Sequence, residues 1–204
     1  MLRNKLTVLF LLFLSGSSSL FLLLFLQINI LKLLIPFSVI AFLYVGKFPC
    51  KKLVSLRDVP FMKAHLVAVV WAGMVVLLPT FQSNIKLSFE IWIIFSSIYF
   101  FILSLAIIFD IRDIELDEPN KKTMPQLVGI KGASFVAMGF NLLSAGLLIY
   151  LCNELFFTLG IFSLLASIFC FFANDKREDL YFSFWIDGLI ILFSGVISLT
   201  ILYE

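Results

Sequence analysis

Polar residues interrupt this chain only at intervals, and the stretches between them are apolar on every side rather than on one face. Seven such segments emerge, at approximately 6–26, 33–46, 64–79, 91–109, 132–151, 155–173 and 183–202. A helix needs about 20 residues to cross the hydrocarbon core. The second and third segments are short by that measure, so either they extend into flanking polar residues or the bilayer thins around them. The start imitates a secretory leader, with Arg3 and Lys5, an apolar run and the small residues Ser15 to Ser19. The apolar run resumes at once with Leu20 to Leu26, which predicts a spanning helix. No repeat or low-complexity linker is visible. The expectation is an all-α, polytopic transmembrane bundle of about seven helices, forming a single domain over 1–204 with short connections.

Composition agrees with the pattern. Hydrophobic residues make up 62% of the 204 and charged residues 14%, far from the balance of a soluble domain. A water-soluble fold of this size has no interior large enough for so much apolar surface. The charges are also sided. Thirteen basic residues (Arg3, Lys5, Lys47, Lys51, Lys52, Arg57, Lys63, Arg112, Lys121, Lys122, Lys131, Lys176 and Arg177) fall at the N-terminus and in alternate loops, against Lys32 and Lys86 on the other side. That asymmetry predicts a cytoplasmic N-terminus, with the chain integral to a bacterial inner membrane. The net charge of only +2, in short clusters, argues against nucleic acid as a partner.

The sharpest break in the lipid-like pattern is Phe109-Asp110-Ile111-Arg112-Asp113-Ile114-Glu115-Leu116-Asp117-Glu118, after the fourth segment and on the cytoplasmic side. If the helix continues, Asp110, Asp113 and Asp117 share one face at i, i+3 and i+7, while Arg112 and Glu115 point elsewhere. Carboxylates at a helix C-terminus oppose the macrodipole, at a few tenths to about 1 kcal/mol each. Hard oxygen ligands so arranged suit Mg²⁺, which combines one or two carboxylates with substrate phosphates. The competing reading is a solvated cap neutralised by Arg112, Lys121 and Lys122. Beyond the cluster, Pro119 to Gly129 reads as a proline-bounded loop leading to Gly132 and the next helix.

Asp110 through Gly129 resembles the second aspartate-rich motif of the UbiA-type intramembrane prenyltransferase family. That motif reads approximately D-x-x-D-x-x-x-D, a basic stretch, T-L-P and a glycine; here Asp110, Asp113, Asp117, Lys121, Lys122, Thr123, Pro125 and Gly129 follow in that order. Three apolar segments follow the motif, as in the family. Only four precede it, where the family has six, and the family's first motif, N-x-x-x-D-x-x-x-D, has no counterpart near the N-terminus. The loop Lys51 to Asp58 is similar to the family's preceding cytoplasmic loop. The resemblance implies a UbiA-like bundle and Mg²⁺-dependent transfer of a prenyl group from a polyprenyl diphosphate to a lipophilic acceptor. It implies Asp110, Asp113 and Asp117 as catalytic metal ligands and Lys121 or Lys122 as diphosphate contacts. The 25 phenylalanines offer faces to a developing allylic cation, although phenylalanine is also ordinary lipid-facing material.

Other candidates come from the residues alone. Lys51, Lys52, Arg57 and Lys63 either draw in a diphosphate or serve only as positive-inside anchors. In the last cytoplasmic loop, Asp175 and Asp179 repeat the D-x-x-x-D spacing and either face a substrate headgroup or pair within their loop with Lys176 and Arg177. Asp187 lies inside the seventh segment, where an ionisable side chain faces a cavity or a partner unless it snorkels to the nearby end. His65, the only histidine, reads as an interfacial packing residue, and the odd, scattered Cys50, Cys152 and Cys170 as packing residues too. Two further functions remain beside the enzyme: a truncated or non-catalytic relative that binds a lipid or protein partner, and a small-solute transporter using Asp187.

Overall fold

A computed structural model describes residues 2–23, 28–45, 59, 62–117 and 122–201. Among them the chain is all-helical, with seven helices and no strand. These are α1 (Leu2–Leu23), α2 (Ile28–Val45), α3 (Met62–Gln82), α4 (Phe89–Arg112), α5 (Met124–Leu151), α6 (Phe156–Phe171) and α7, in which a π-helical segment Tyr181–Ile186 runs into an α-helix Asp187–Ile201. Three of them, α3, α4 and α5, are long and apolar enough to cross a membrane, with 21, 24 and 28 residues. The described apolar stretches of the other four are shorter.

Each expected apolar segment corresponds to one helix, but the ends differ for identifiable reasons. The third does not stop at Pro79. A π-helical segment, Gly73–Leu77, ends two residues before that proline, which lacks the N–H for a regular i→i−4 bond, and the helix resumes over Leu78–Gln82. The apparently short second and third segments are therefore lengthened by their flanks. The stretch expected as a loop before Gly132 is helical from Met124: Pro125 sits in the first turn, and the Gln126 side chain accepts the Thr123 N–H at 3.1 Å. The turn then breaks at Gly129, whose φ of 76° and ψ of 168° belong to glycine.

The core lies around α4, of whose apolar stretch 56% is buried, against 28% for each of α3 and α5. Its neighbours meet it with small side chains. On α3, Ala64, Ala68 and Ala72 are buried at successive four-residue steps. On α5 the buried face includes Ala133, Ser134, Ala137, Asn141, Ser144 and Ala145, and on α6 Ser163, Ala166, Ser167 and Cys170. Apolar helices surrounded by lipid gain nothing from hydrophobic burial against each other, so close backbone approach and interhelical hydrogen bonds must hold the bundle. The Ser97 hydroxyl donates to the Ser144 carbonyl at 2.9 Å, and Asn141 Nδ2 donates to the Ser163 carbonyl at 2.9 Å and to the Ser167 hydroxyl at 3.0 Å. Phe101, Phe162 and Phe193 fill the space between α4, α6 and α7. Large apolar side chains such as Phe135, Phe157, Ile161 and Ile191 are exposed on the outside, the reverse of a soluble fold.

Asn141 offers a direct test of this packing. Asn141→Leu is expected to lower stability by about 0.6–2 kcal/mol, the worth of polar contacts between membrane helices. Reversible unfolding in mixed micelles measures it.

Candidate functional site

The carboxylates of the acidic stretch do converge, through a route the continuous-helix picture omits. Regular helix ends at Arg112, and Asp113 closes it with φ −89° and ψ 8°. A further turn carries the chain onward: the Leu116 and Asp117 amides both donate to the Asp113 carbonyl at 2.9 Å. That turn leaves Glu115 exposed and buries Asp117 beside Asp110; their residues are 8% and 3% exposed. Asp117 is tied in further by Gln126 Nε2, which donates to its carbonyl at 3.3 Å.

The point on which they converge is the ammonium of Lys63. Its Nζ stands 2.8 Å from Asp110 Oδ1, 2.9 Å from Asp117 Oδ2 and 4.0 Å from Asp113 Oδ2. Asp113 is held mainly by its neighbour. Arg112 Nε and Nη2 donate to its two oxygens at 2.7 and 3.3 Å, so Arg112 turns toward the cluster rather than away. The guanidinium lies over the Phe109 ring, 5.0 Å from its centroid, and 6.0 Å from that of Phe182.

Each partner is badly placed on its own helix. Lys63 is in the first turn of α3, where a cation opposes the dipole, and Asp110 is in the last turn of α4, where an anion does. Running the two helices antiparallel brings these ends together, and each charge is then answered by the other. The neutralising cation is therefore neither Arg112 alone nor Lys122, which is exposed and has a left-handed φ of 46°. In the sequence, Lys63 is one of several basic residues near the loop before α3. The signal that singles it out is its position in the first turn of a helix beginning at the end of the bundle where the aspartates lie.

As arranged, these oxygens fit an ammonium. Hard carboxylate donors are right for Mg²⁺, but the position between them is taken by Lys63 Nζ, and among the described residues no group of three or more His, Cys, Asp or Glu is set to hold a metal ion.

Of the remaining candidates, those among the described residues make no hydrogen bond or ion pair with Lys63 or the three aspartates. Lys51, Arg57 and Lys121, like Lys52 and Cys50, lie outside the described residues. Asp179 and Asp187 are exposed and act on Arg112 only through longer-range Coulombic attraction. Asp187 opens the regular α-helical part of α7. Asp175 is half-buried. The expected pairing of Asp175 and Asp179 with Lys176 and Arg177 is not found: among the described residues the ion pairs are those of Lys63 and Arg112. Arg177 instead donates from Nε to the Phe172 carbonyl at 3.3 Å and lies 5.3 Å from the Tyr181 ring centroid. Cys170 is buried as expected, but Cys152 is exposed just past the end of α5. His65 is half-buried and stacks on Tyr99, with Nδ1 at hydrogen-bond distance from the Tyr99 hydroxyl.

Compared with protein-family models, with curated proteins and with solved structures, the chain finds no match in any of the three.

Proposed function

We propose that this chain is a non-catalytic membrane protein that binds a lipid, and that its acidic helix end is a clamp between α3 and α4 rather than a reaction centre. One observation carries the proposal: the Lys63 ammonium, at 2.8 and 2.9 Å from Asp110 and Asp117, already occupies the position between the two buried carboxylates. A metal site for a diphosphate needs those oxygens free for the ion. Here they are engaged in charge-assisted hydrogen bonds that tie two core helices.

The prenyl-transfer reading keeps one observation in its favour. Asp110, Asp113 and Asp117 do point at one position, and Asp110 and Asp117 are buried rather than splayed into water. One experiment separates the two readings. Purified protein is titrated with a polyprenyl diphosphate with and without Mg²⁺, beside the Asp113→Asn plus Asp117→Asn variant. The clamp reading expects no Mg²⁺-dependent component and the same isotherm for the variant. Saturable binding that requires Mg²⁺ and disappears in the variant would establish the enzyme-like site instead.

A further inference from the structure

At the same end of the bundle, a second feature lies apart from the carboxylates. A groove of about 810 Å³ runs between the start of α5 and the segment that follows α6. Three cations line it, Lys131 from α5 and Lys176 and Arg177 from the following segment, together with the rings of Phe135 and Phe171. Those rings meet edge to face, with centroids 6.0 Å apart, and both are more than half exposed. Ser134 lies at its floor, 3% exposed, with a hydroxyl that has no hydrogen-bond partner among the described residues.

The charges are what make the groove unusual. Lys131, Lys176 and Arg177 form no ion pair with any carboxylate among the described residues, although Asp175, Glu178 and Asp179 are their neighbours in sequence. Three cations that make no ion pair among the described residues, beside an exposed aromatic wall, match an amphiphile with an anionic head and apolar tails. Basic pockets between membrane helices take phospholipid headgroups for this reason, and the aromatic rings supply a surface for an acyl chain.

We infer that this groove binds an anionic glycerophospholipid, its phosphate on Lys131, Lys176 and Arg177 and an acyl chain along Phe135 and Phe171. The inference deepens the lipid-binding reading and rests on it, while using none of the clamp residues. A free phosphate would meet the same cations but gain nothing from the rings.

The test uses the full chain in a neutral detergent, titrated with phosphatidylglycerol and with phosphatidylcholine and read by native mass spectrometry. Phosphatidylglycerol is expected to bind about tenfold or more tightly than phosphatidylcholine, since each cation near the headgroup adds to the attraction. The Lys131→Gln, Lys176→Gln, Arg177→Gln triple variant should lose that preference while keeping the helical content of the parent by circular dichroism. Lys32→Gln plus Lys86→Gln, which removes cations elsewhere, should keep it. Phe135→Ala should weaken both lipids. Equal binding of the two lipids, an unchanged preference in the triple variant, or equal loss in the control variant overturns the inference. So does full competition by inorganic phosphate. Mg²⁺-dependent binding of a polyprenyl diphosphate through Asp113 and Asp117 would overturn the clamp reading without touching these outcomes.

Discussion

Lys63→Met is expected to destabilise the protein by about 3–5 kcal/mol, because it removes the cation between two buried carboxylates and takes from Asp110 its ion-pair partner among the described residues. The Asp110 and Asp117 side chains are each 5% exposed, and Lys63 supplies the short contact to both. Most of the loss comes from burying the Asp110 anion without its cation rather than from the bond itself, since desolvated charge is far costlier than a missing salt bridge. Adding Asp110→Asn and Asp117→Asn to Lys63→Met should therefore recover a large part of the stability. The three proteins are compared by reversible unfolding in mixed micelles. A Lys63→Met variant as stable as the parent would mean that the ammonium does not hold the cluster.

Gly129→Ala is the second large expected effect, about 1–3 kcal/mol, and its cause is different. At φ 76° and ψ 168° the backbone occupies a region that side-chain-bearing residues avoid. An added Cβ meets nothing within 4 Å, so the cost lies in the backbone alone. Gly139 is the matched control: it has the same open surroundings but lies inside the regular part of α5, where Ala is the better helix former. Gly139→Ala should leave stability unchanged or slightly raised. The break at Gly129 also orients the turn carrying Gln126, which reaches the Asp117 carbonyl. Gly129→Ala is thus expected to loosen the clamp as well, and equal stability of the two alanine variants would count against the left-handed backbone.

Much of the architecture was legible because it rests on one-dimensional quantities. A run of apolar residues long enough to cross a bilayer becomes a helix wherever its neighbours lie, since lipid leaves the backbone no other way to satisfy its hydrogen bonds. The seven segments accordingly correspond to seven helices among the described residues. Boundaries were less legible where one residue has two uses. Pro79 and Pro125 both read as breakers, yet Pro79 follows a π-helical segment within α3, and Pro125 opens α5 in a position that needs no N–H.

The candidate site divides along the same line. That Asp110, Asp113 and Asp117 share a side follows from their spacing, and the extra turn beyond Arg112 preserves it. What faces them does not follow from spacing. Lys63 is 47 positions from Asp110 in the chain and meets it only because α3 and α4 pack antiparallel through the small residues Ala64, Ala68 and Ala72. Lys131, Lys176 and Arg177 likewise counted one by one as positive-inside charges, and they share a groove only because α5 lies against α6.

By itself, then, the order of residues determined that the chain is helical, apolar enough to require lipid around it, and acidic at one helix end. Those properties depend on segment length, composition and local spacing. The tertiary structure alone decided that the acidic end is met by a lysine ammonium and that three cations lie along an aromatic groove with no ion pair among the described residues. Those outcomes depend on which helix faces which, and in a bundle apolar on all sides that choice is made by small residues and a few buried polar groups, too sparse a pattern to read along the chain.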